Sequence, residues 1–223
     1  GFDDRGRIQA LDMRQLVDCG MSPDLSNAIA DRAMFHADNC YFLPHAVITS
    51  YRCFTHKVSN TAFRGFGGPQ GMLAIEYVID DIARHLGLPA DQVRRVNFYD
   101  AMDARKDRCT THYGMAVEDC IIADIFGKLE ETADYQSRIA QIDAFNAANP
   151  VLKKGIALTP VKFGISFTLT MLNQAGALVH VYKDGSVQLN HGGTEMGQGL
   201  HTKVSQIVAD VFGLALDRVR ITA

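Results

Sequence analysis

Two glycine-rich stretches, each placed where the chain turns into an apolar helical pattern, set the tightest limits on what this sequence folds into. The first is Phe63-Arg64-Gly65-Phe66-Gly67-Gly68-Pro69-Gln70-Gly71. The second is His191-Gly192-Gly193-Thr194-Glu195-Met196-Gly197-Gln198-Gly199-Leu200. Glycine allows backbone angles and close approaches that a side chain blocks, and the unpaired N–H groups of a helix start attract an anion. The second stretch is therefore expected to hold something negatively charged, and two such loops on one chain point to one shared ligand. Neither is a Gly-Lys-Ser/Thr phosphate loop, and neither has the spaced G-x-G-x-x-G of a dinucleotide-binding unit. No His-Glu-x-x-His occurs, so a metal held by protein ligands has no support. His191 and His201 flank the second loop with no spacing that would aim both imidazoles at one point, and both are expected to be structural.

Composition excludes several classes. A chain of 223 residues that is 47% hydrophobic can bury the core of one large domain or two smaller ones. A net charge of -3 and a pI near 6.2 speak against a dedicated nucleic-acid binder. Neither a run of eighteen apolar residues nor a secretory leader is present, so no membrane span is expected and the cytoplasm is the expected location. Five cysteines without a C-x-x-C pair read as free thiols. The start at Gly1 and the strand-like run before Ala223 lead us to expect a piece of a longer polypeptide.

In chain order, the pattern predicts a strand within 7–17 and a helix over 22–36, capped by Ser22 with Pro23 in its first turn and Leu25, Ile29, Ala33 and Phe35 on its apolar stripe. Arg32 lies off that stripe, where a helix arginine is expected to be solvated. A strand follows over 46–57. After the first loop, Met72, Ile75, Val78, Ile79, Ile82 and Leu86 make a helix face that Gly87 ends, and a short helix from Pro89 turns Val93, Val96 and Phe98 inward. A charged surface loop is expected over 100–108, then helices over 116–128 and 133–148. Beyond Pro150 the composition is β-type, with strands expected over 154–162 and 163–170 and a hairpin around Lys183-Asp184-Gly185. Val204, Ile207, Val208, Val211 and Phe212 mark the next helix, and a final strand closes the chain. The run from Gly87-Leu88-Pro89-Ala90-Asp91 to Val93-Arg94 is echoed by Gly213-Leu214-Ala215-Leu216-Asp217 to Val219-Arg220, each after a glycine loop and a helix.

The chemistry left open is a ligand held by backbone amides and a few side chains. Arg64 offers a planar fork of donors to an anion, while Gln70 and Gln198 can donate or accept at a polar edge. Phe66, between glycines at a loop tip, offers a stacking surface. Phe167, in Phe163-Gly164-Ile165-Ser166-Phe167-Thr168, reads from its pattern as a core residue.

These segments, together with Thr61-Ala62-Phe63-Arg64 and Leu172-Asn173-Gln174-Ala175-Gly176-Ala177, closely resemble the molybdenum-binding part of the xanthine dehydrogenases, within the molybdenum hydroxylase family, and most of all the large subunit of the bacterial type. The resemblance covers essentially the whole chain. It implies an α+β fold of repeated lobes of mixed sheet and helix, with residues 1–110 in a first molybdenum-binding lobe region, 111–150 as a helical connector and 151–223 in a second lobe region. It implies a molybdopterin whose molybdenum carries oxo, sulfido and hydroxide ligands, with the pterin supplying the anchoring sulfurs. Phe63 and Arg64 would lie against the metal centre, and Met196, Gly197 and Gln198 would contact the pterin. Phe66 and Phe167 would sandwich a purine with Thr168 beside it, and Arg32 would be catalytic, stabilising charge on a purine carbonyl oxygen. The implied reaction takes hypoxanthine to xanthine and xanthine to urate. Electrons would leave through [2Fe-2S] clusters and FAD on a partner iron-sulfur/flavin portion to NAD, in a dimer of heterodimers. The family's base glutamate is expected beyond Ala223 and a further substrate-contacting glutamate before Gly1, with Glu195 left to support the cofactor loop. An aldehyde oxidase of the same family lacks the early-helix arginine, a carbon monoxide dehydrogenase would carry cysteine at Gly65, and a cofactor-binding module without turnover is the remaining alternative.

Overall fold

A parallel pair of strands needs a crossover between them, and the first helix supplies it. Strand β1 (Leu11–Gly20) turns Met13 and Cys19 inward, helix α1 (Ser26–Phe35) follows, and β2 (Ala46–Phe54) returns beside β1 in parallel, from Leu11 opposite Ala46 to Asp18 opposite Cys53. The computed structural model describes residues 1–100 and 107–222, so the charged loop expected over 100–108 falls mostly outside the described residues. The chain divides into two units, Gly1–Ile165 and Ser166–Ala223.

In the first unit, α1 begins at Ser26, four residues later than its pattern suggests. The Ser22 hydroxyl is engaged with Ser59 Oγ at 2.6 Å, Asp24 has a φ of 38°, and the Ser26 amide closes a turn onto the Pro23 carbonyl at 2.7 Å. Helices α2 (Gly68–Leu86), α3 (Ala90–Asn97), α4 (Ile122–Thr132) and α5 (Tyr135–Ala148) complete the helical set. Ile75, Ile79 and Ile82 of α2 meet Val93, Tyr41, Phe98, Phe126 and Leu158 in the core, as the periodicity of α2 requires. Helix α4 starts later than expected because Thr110 and Ala116 form an isolated bridge and the Val117 amide is bonded to the Cys109 carbonyl at 2.7 Å.

The strands expected over 154–162 and 163–170 do not form. A strand needs a neighbouring backbone, and residues 158–164 are satisfied by side chains instead. Asn39 donates to the Pro160 carbonyl at 2.9 Å and accepts from the Lys162 amide at 3.1 Å, and the Gly164 amide donates to His36 Nε2 at 3.1 Å.

In the second unit, β3 (Ala177–Val181) and β4 (Val187–His191) form the expected hairpin. Helix α6 (Leu200–Phe212) then crosses to β5 (Val219–Ile221), which lies parallel to β4. Val187, Leu189, Val208, Ala209 and Val219 make its core, whereas Ile207, Val211 and Phe212 of the expected apolar face are exposed. The internal echo is real at the helix ends. Gly87 and Gly213 both stop their helices at a φ of 66°, each followed by a leucine amide bonded back to the last turn, Leu88 to Ala83 at 2.9 Å and Leu214 to Ala209 at 2.8 Å. The copies then part, one into α3 and the other into a 3-10 turn, Leu216–Arg218, and β5. Among the described residues no helix is long and apolar enough to cross a membrane. The architecture is α+β, small sheets mixed with helices.

Candidate functional site

Apart from Arg32, the buried residues of α1 are small, Ser26, Ala30 and Ala33, which lets the start of α2 come against its backbone. A Cβ at Gly67 would lie 2.0 Å from the Ile29 carbonyl oxygen, and one at Gly71 would lie 2.2 Å from that of Ala33. Gly67 and Gly71 therefore serve helix packing. The chain is thrown outward just before that contact. Phe63 is 82% exposed, Arg64 is exposed, and Phe66, half-buried, holds a φ of 48°, a strained angle for a bulky residue of the kind that gathers at ligand clamps.

Arg32 is only 4% exposed, which corrects its reading as a solvated helix residue. Its guanidinium carbon sits 4.9 Å from the centre of the Phe163 ring, and burial pushes its pKa down. His36, one turn on, uses both ring nitrogens: Nδ1 donates to the Arg32 carbonyl at 3.0 Å and Nε2 accepts from the Gly164 amide. Those partners define a neutral imidazole, and burial holds its pKa below the usual histidine range. Beneath them the fully buried Asp38 carboxylate takes Lys162 Nζ at 2.5 Å and the Tyr99 hydroxyl at 2.6 Å.

Phe167 and Thr168, half-buried, belong to the second unit. The Asn173 side chain grips Phe167 by both backbone groups, accepting its amide at 2.7 Å and donating to its carbonyl at 2.9 Å. Asn173 imitates a strand neighbour, a role no spacing reveals.

The second glycine loop is organised by Glu195. One carboxylate oxygen accepts the Gly197 and Gly199 amides at 2.8 and 3.1 Å, the other accepts the His201 amide at 3.1 Å, and these bonds hold its pKa down. The anion expected at the start of α6 is thus the chain's own carboxylate, so an outside anion finds that position filled. Gln198 accepts the Met196 amide at 2.6 Å and donates to the Thr194 carbonyl at 2.8 Å, fixing the loop's shape while Met196 and Gly197 stay exposed. At the base of the loop His191 and His201 pack edge to face with ring centres 5.5 Å apart. The structure therefore brings together two imidazoles that the spacing left apart, and the Nε2 atoms of both are buried without a hydrogen-bond partner among the described residues.

Among the described residues no three of His, Cys, Asp and Glu converge on a point suited to a metal ion. Within the second unit the glycine loop offers backbone amides and carbonyls, and at Gly192 and Gly199 an added Cβ would meet nothing within 4 Å. That open, preformed rim fits the edge of a flat polar ring system such as a pterin.

Molybdopterin cofactor-binding domain models match residues 1–98 and 128–223. Over 222 residues the chain is 45% identical to xanthine dehydrogenase 1 of Arabidopsis thaliana and 46% identical to xanthine dehydrogenase/oxidase of Mus musculus, covering 100% of this chain and 16% of each relative. The chain thus spans about one sixth of the length of those curated relatives. Among solved structures, reconstituted CO dehydrogenase from Oligotropha carboxidovorans matches with a TM-score of 0.75 at 23% identity, over 98% of this chain and 29% of that one, a likeness of fold. Over residues 1–98 and 128–223 the chain belongs to the molybdopterin cofactor-binding domain family.

Proposed function

We propose that the chain is part of the catalytic subunit of a xanthine dehydrogenase that oxidises hypoxanthine to xanthine and xanthine to urate. The observation that carries the purine reading is Arg32, a cation withdrawn from water at the end of α1 in a sequence 45% identical along its whole length to a xanthine dehydrogenase. When bound, molybdopterin supplies the metal centre that takes two electrons from a purine ring carbon. This chain's residues hold and orient the reactants. Phe63 and Arg64 would lie against the metal centre, and Met196, Gly197 and Gln198 would contact the pterin on the loop that Glu195 shapes. Phe66 and Phe167 stack on the two faces of the purine, with Thr168 at its edge. Arg32 binds the carbonyl oxygen on which negative charge builds, and a desolvated, charge-assisted donor at that position contributes about 2–4 kcal/mol to rate. Glu195, held ionised by three amides, is an acceptor only and moves no proton.

In the same reading residues 1–110 and 151–223 belong to two cofactor-binding lobe regions joined by 111–150. The remaining portions of the catalytic subunit complete the site, and an iron-sulfur/flavin partner carries [2Fe-2S] clusters and FAD and passes electrons to NAD. The assembly is a dimer of heterodimers in the cytoplasm, with no nucleic acid or membrane partner. The test is Arg32→Met in the full-length protein. Xanthine turnover falls by roughly two to three orders of magnitude while molybdenum and pterin content stay at the wild-type level, and unchanged turnover removes Arg32 from the mechanism.

A further inference from the structure

We propose that Phe163 is a positioning residue whose ring fixes the Arg32 guanidinium relative to the glycine loop that carries Phe66. The inference rests on the reading of Arg32 as the group that meets the purine carbonyl.

Phe163 is not placed as a core phenylalanine. It is 40% exposed, yet its ring meets three residues at once. It lies under the Arg32 guanidinium at 4.9 Å and beside the His36 ring at 5.1 Å. It also occupies the space above Gly68, the first residue of α2, where an added Cβ would come within 2.5 Å of Phe163 Cε2. The ring thus touches the last turn of α1 and the first turn of α2, the two ends that carry Arg32 and the Phe66 loop.

The backbone on either side of the ring is pinned more firmly than an exposed loop needs. Asn39 holds the Pro160 carbonyl and the Lys162 amide. Asp38, fully buried, holds Lys162 Nζ, and His36 Nε2 holds the Gly164 amide. The same His36 ring reaches back to the Arg32 carbonyl. Phe163 and the backbone of Arg32 therefore hang from one imidazole, which sets their relative position independently of the flexible arginine stem.

A guanidinium over an aromatic face is attracted by the ring quadrupole, more strongly when water is excluded. An arginine ordered in this way gives up less rotamer freedom when it meets its ligand. Removing the ring face leaves Arg32 charged and present but without the aromatic contact that orders it, which affects ligands that use it and spares ligands that do not.

The experiment compares Phe163→Leu, Phe163→Trp, Arg32→Met and the double variant Phe163→Leu/Arg32→Met in the cofactor-loaded full-length enzyme. Phe163→Leu lowers kcat/KM for xanthine on the order of tenfold and leaves that for unsubstituted purine, which has no carbonyl, within about twofold. Phe163→Trp, which keeps a π face, retains most of the xanthine rate. In the Arg32→Met background Phe163→Leu has no further effect on xanthine. Calorimetric binding of urate to resting enzyme weakens in step with the xanthine rate, while metal and pterin content and Tm stay level. Equal losses for xanthine and purine with a lowered Tm make Phe163 a packing residue and overturn the inference. Additive losses in the double variant overturn it too, and leave the role of Arg32 standing. Normal xanthine turnover by Arg32→Met overturns the Arg32 reading, and this inference with it.

Discussion

Gly67 stands where two constraints meet: its φ of 92° belongs to the left-handed region, and a Cβ added there would lie 2.0 Å from the Ile29 carbonyl oxygen. Gly67→Ala is expected to destabilise the full-length protein by about 2–4 kcal/mol, read by chemical denaturation. An effect below about 0.5 kcal/mol would contradict the packing. The same contact explains why Arg32 was legible only by resemblance. Helix α1 buries small residues under a glycine-bearing partner, so the large apolar residues that advertise a buried face, Leu25 and Phe35, are the exposed ones. Periodicity finds a face filled by large side chains, as it did for Ile75, Ile79 and Ile82, and is silent on a face whose tightness comes from the absence of side chains. Glu195 is the reverse case. The sequence placed it correctly in support of its loop, but the three amides it takes from Gly197, Gly199 and His201 filled the position expected for an outside anion.

The helix ends allow a cleaner test of conformation without packing. At Gly213 an added Cβ meets nothing within 4 Å, so Gly213→Ala pays only for the φ of 66°. The expected loss is about 1 kcal/mol, with Gly213→Asn losing less, measured by thermal unfolding. The segment from residue 158 to 164 carries a pH dependence. His36 faces Arg32, Asp38 and Lys162, and His112 faces Asp38 and Lys162 and contacts the Met34 carbonyl at 3.0 Å; burial lowers both pKa values. The folded form therefore favours neutral imidazoles. Their contribution is whole above the unfolded pKa of about 6.5 and is lost as pH falls through the lower folded values, with a slope of at most about 1.4 kcal/mol per pH unit for each histidine. Denaturation midpoints measured from pH 7.5 downward should drop below pH 6.5, and His36→Asn should flatten that drop. A wild-type profile flat to pH 5 would contradict it. This segment was also where strand prediction failed, because Asn39 and His36 take the place of the missing neighbour. A β-type composition records the preference of residues, whereas pairing depends on what the rest of the chain brings alongside.

The two units each pair a small sheet with helices, and that fold is shared at 23% identity with a carbon monoxide enzyme. In the proposed reading the substrate is chosen by individual side chains, Arg32 above all. The hairpin and the glycine helix stops at Gly87 and Gly213 were legible in the sequence because each depends on neighbours a few residues away. The pairing of His191 with His201 and the burial of Arg32 depend on closure of the chain and were not. The most direct measurement of the central claim is molybdenum and pterin analysis of the intact protein together with xanthine-dependent NAD reduction. Molybdenum and pterin are expected in equal amounts, with NAD reduced only when hypoxanthine or xanthine is supplied. Cofactor-loaded protein that oxidises aldehydes and leaves xanthine untouched, or protein that binds no molybdopterin, would contradict it.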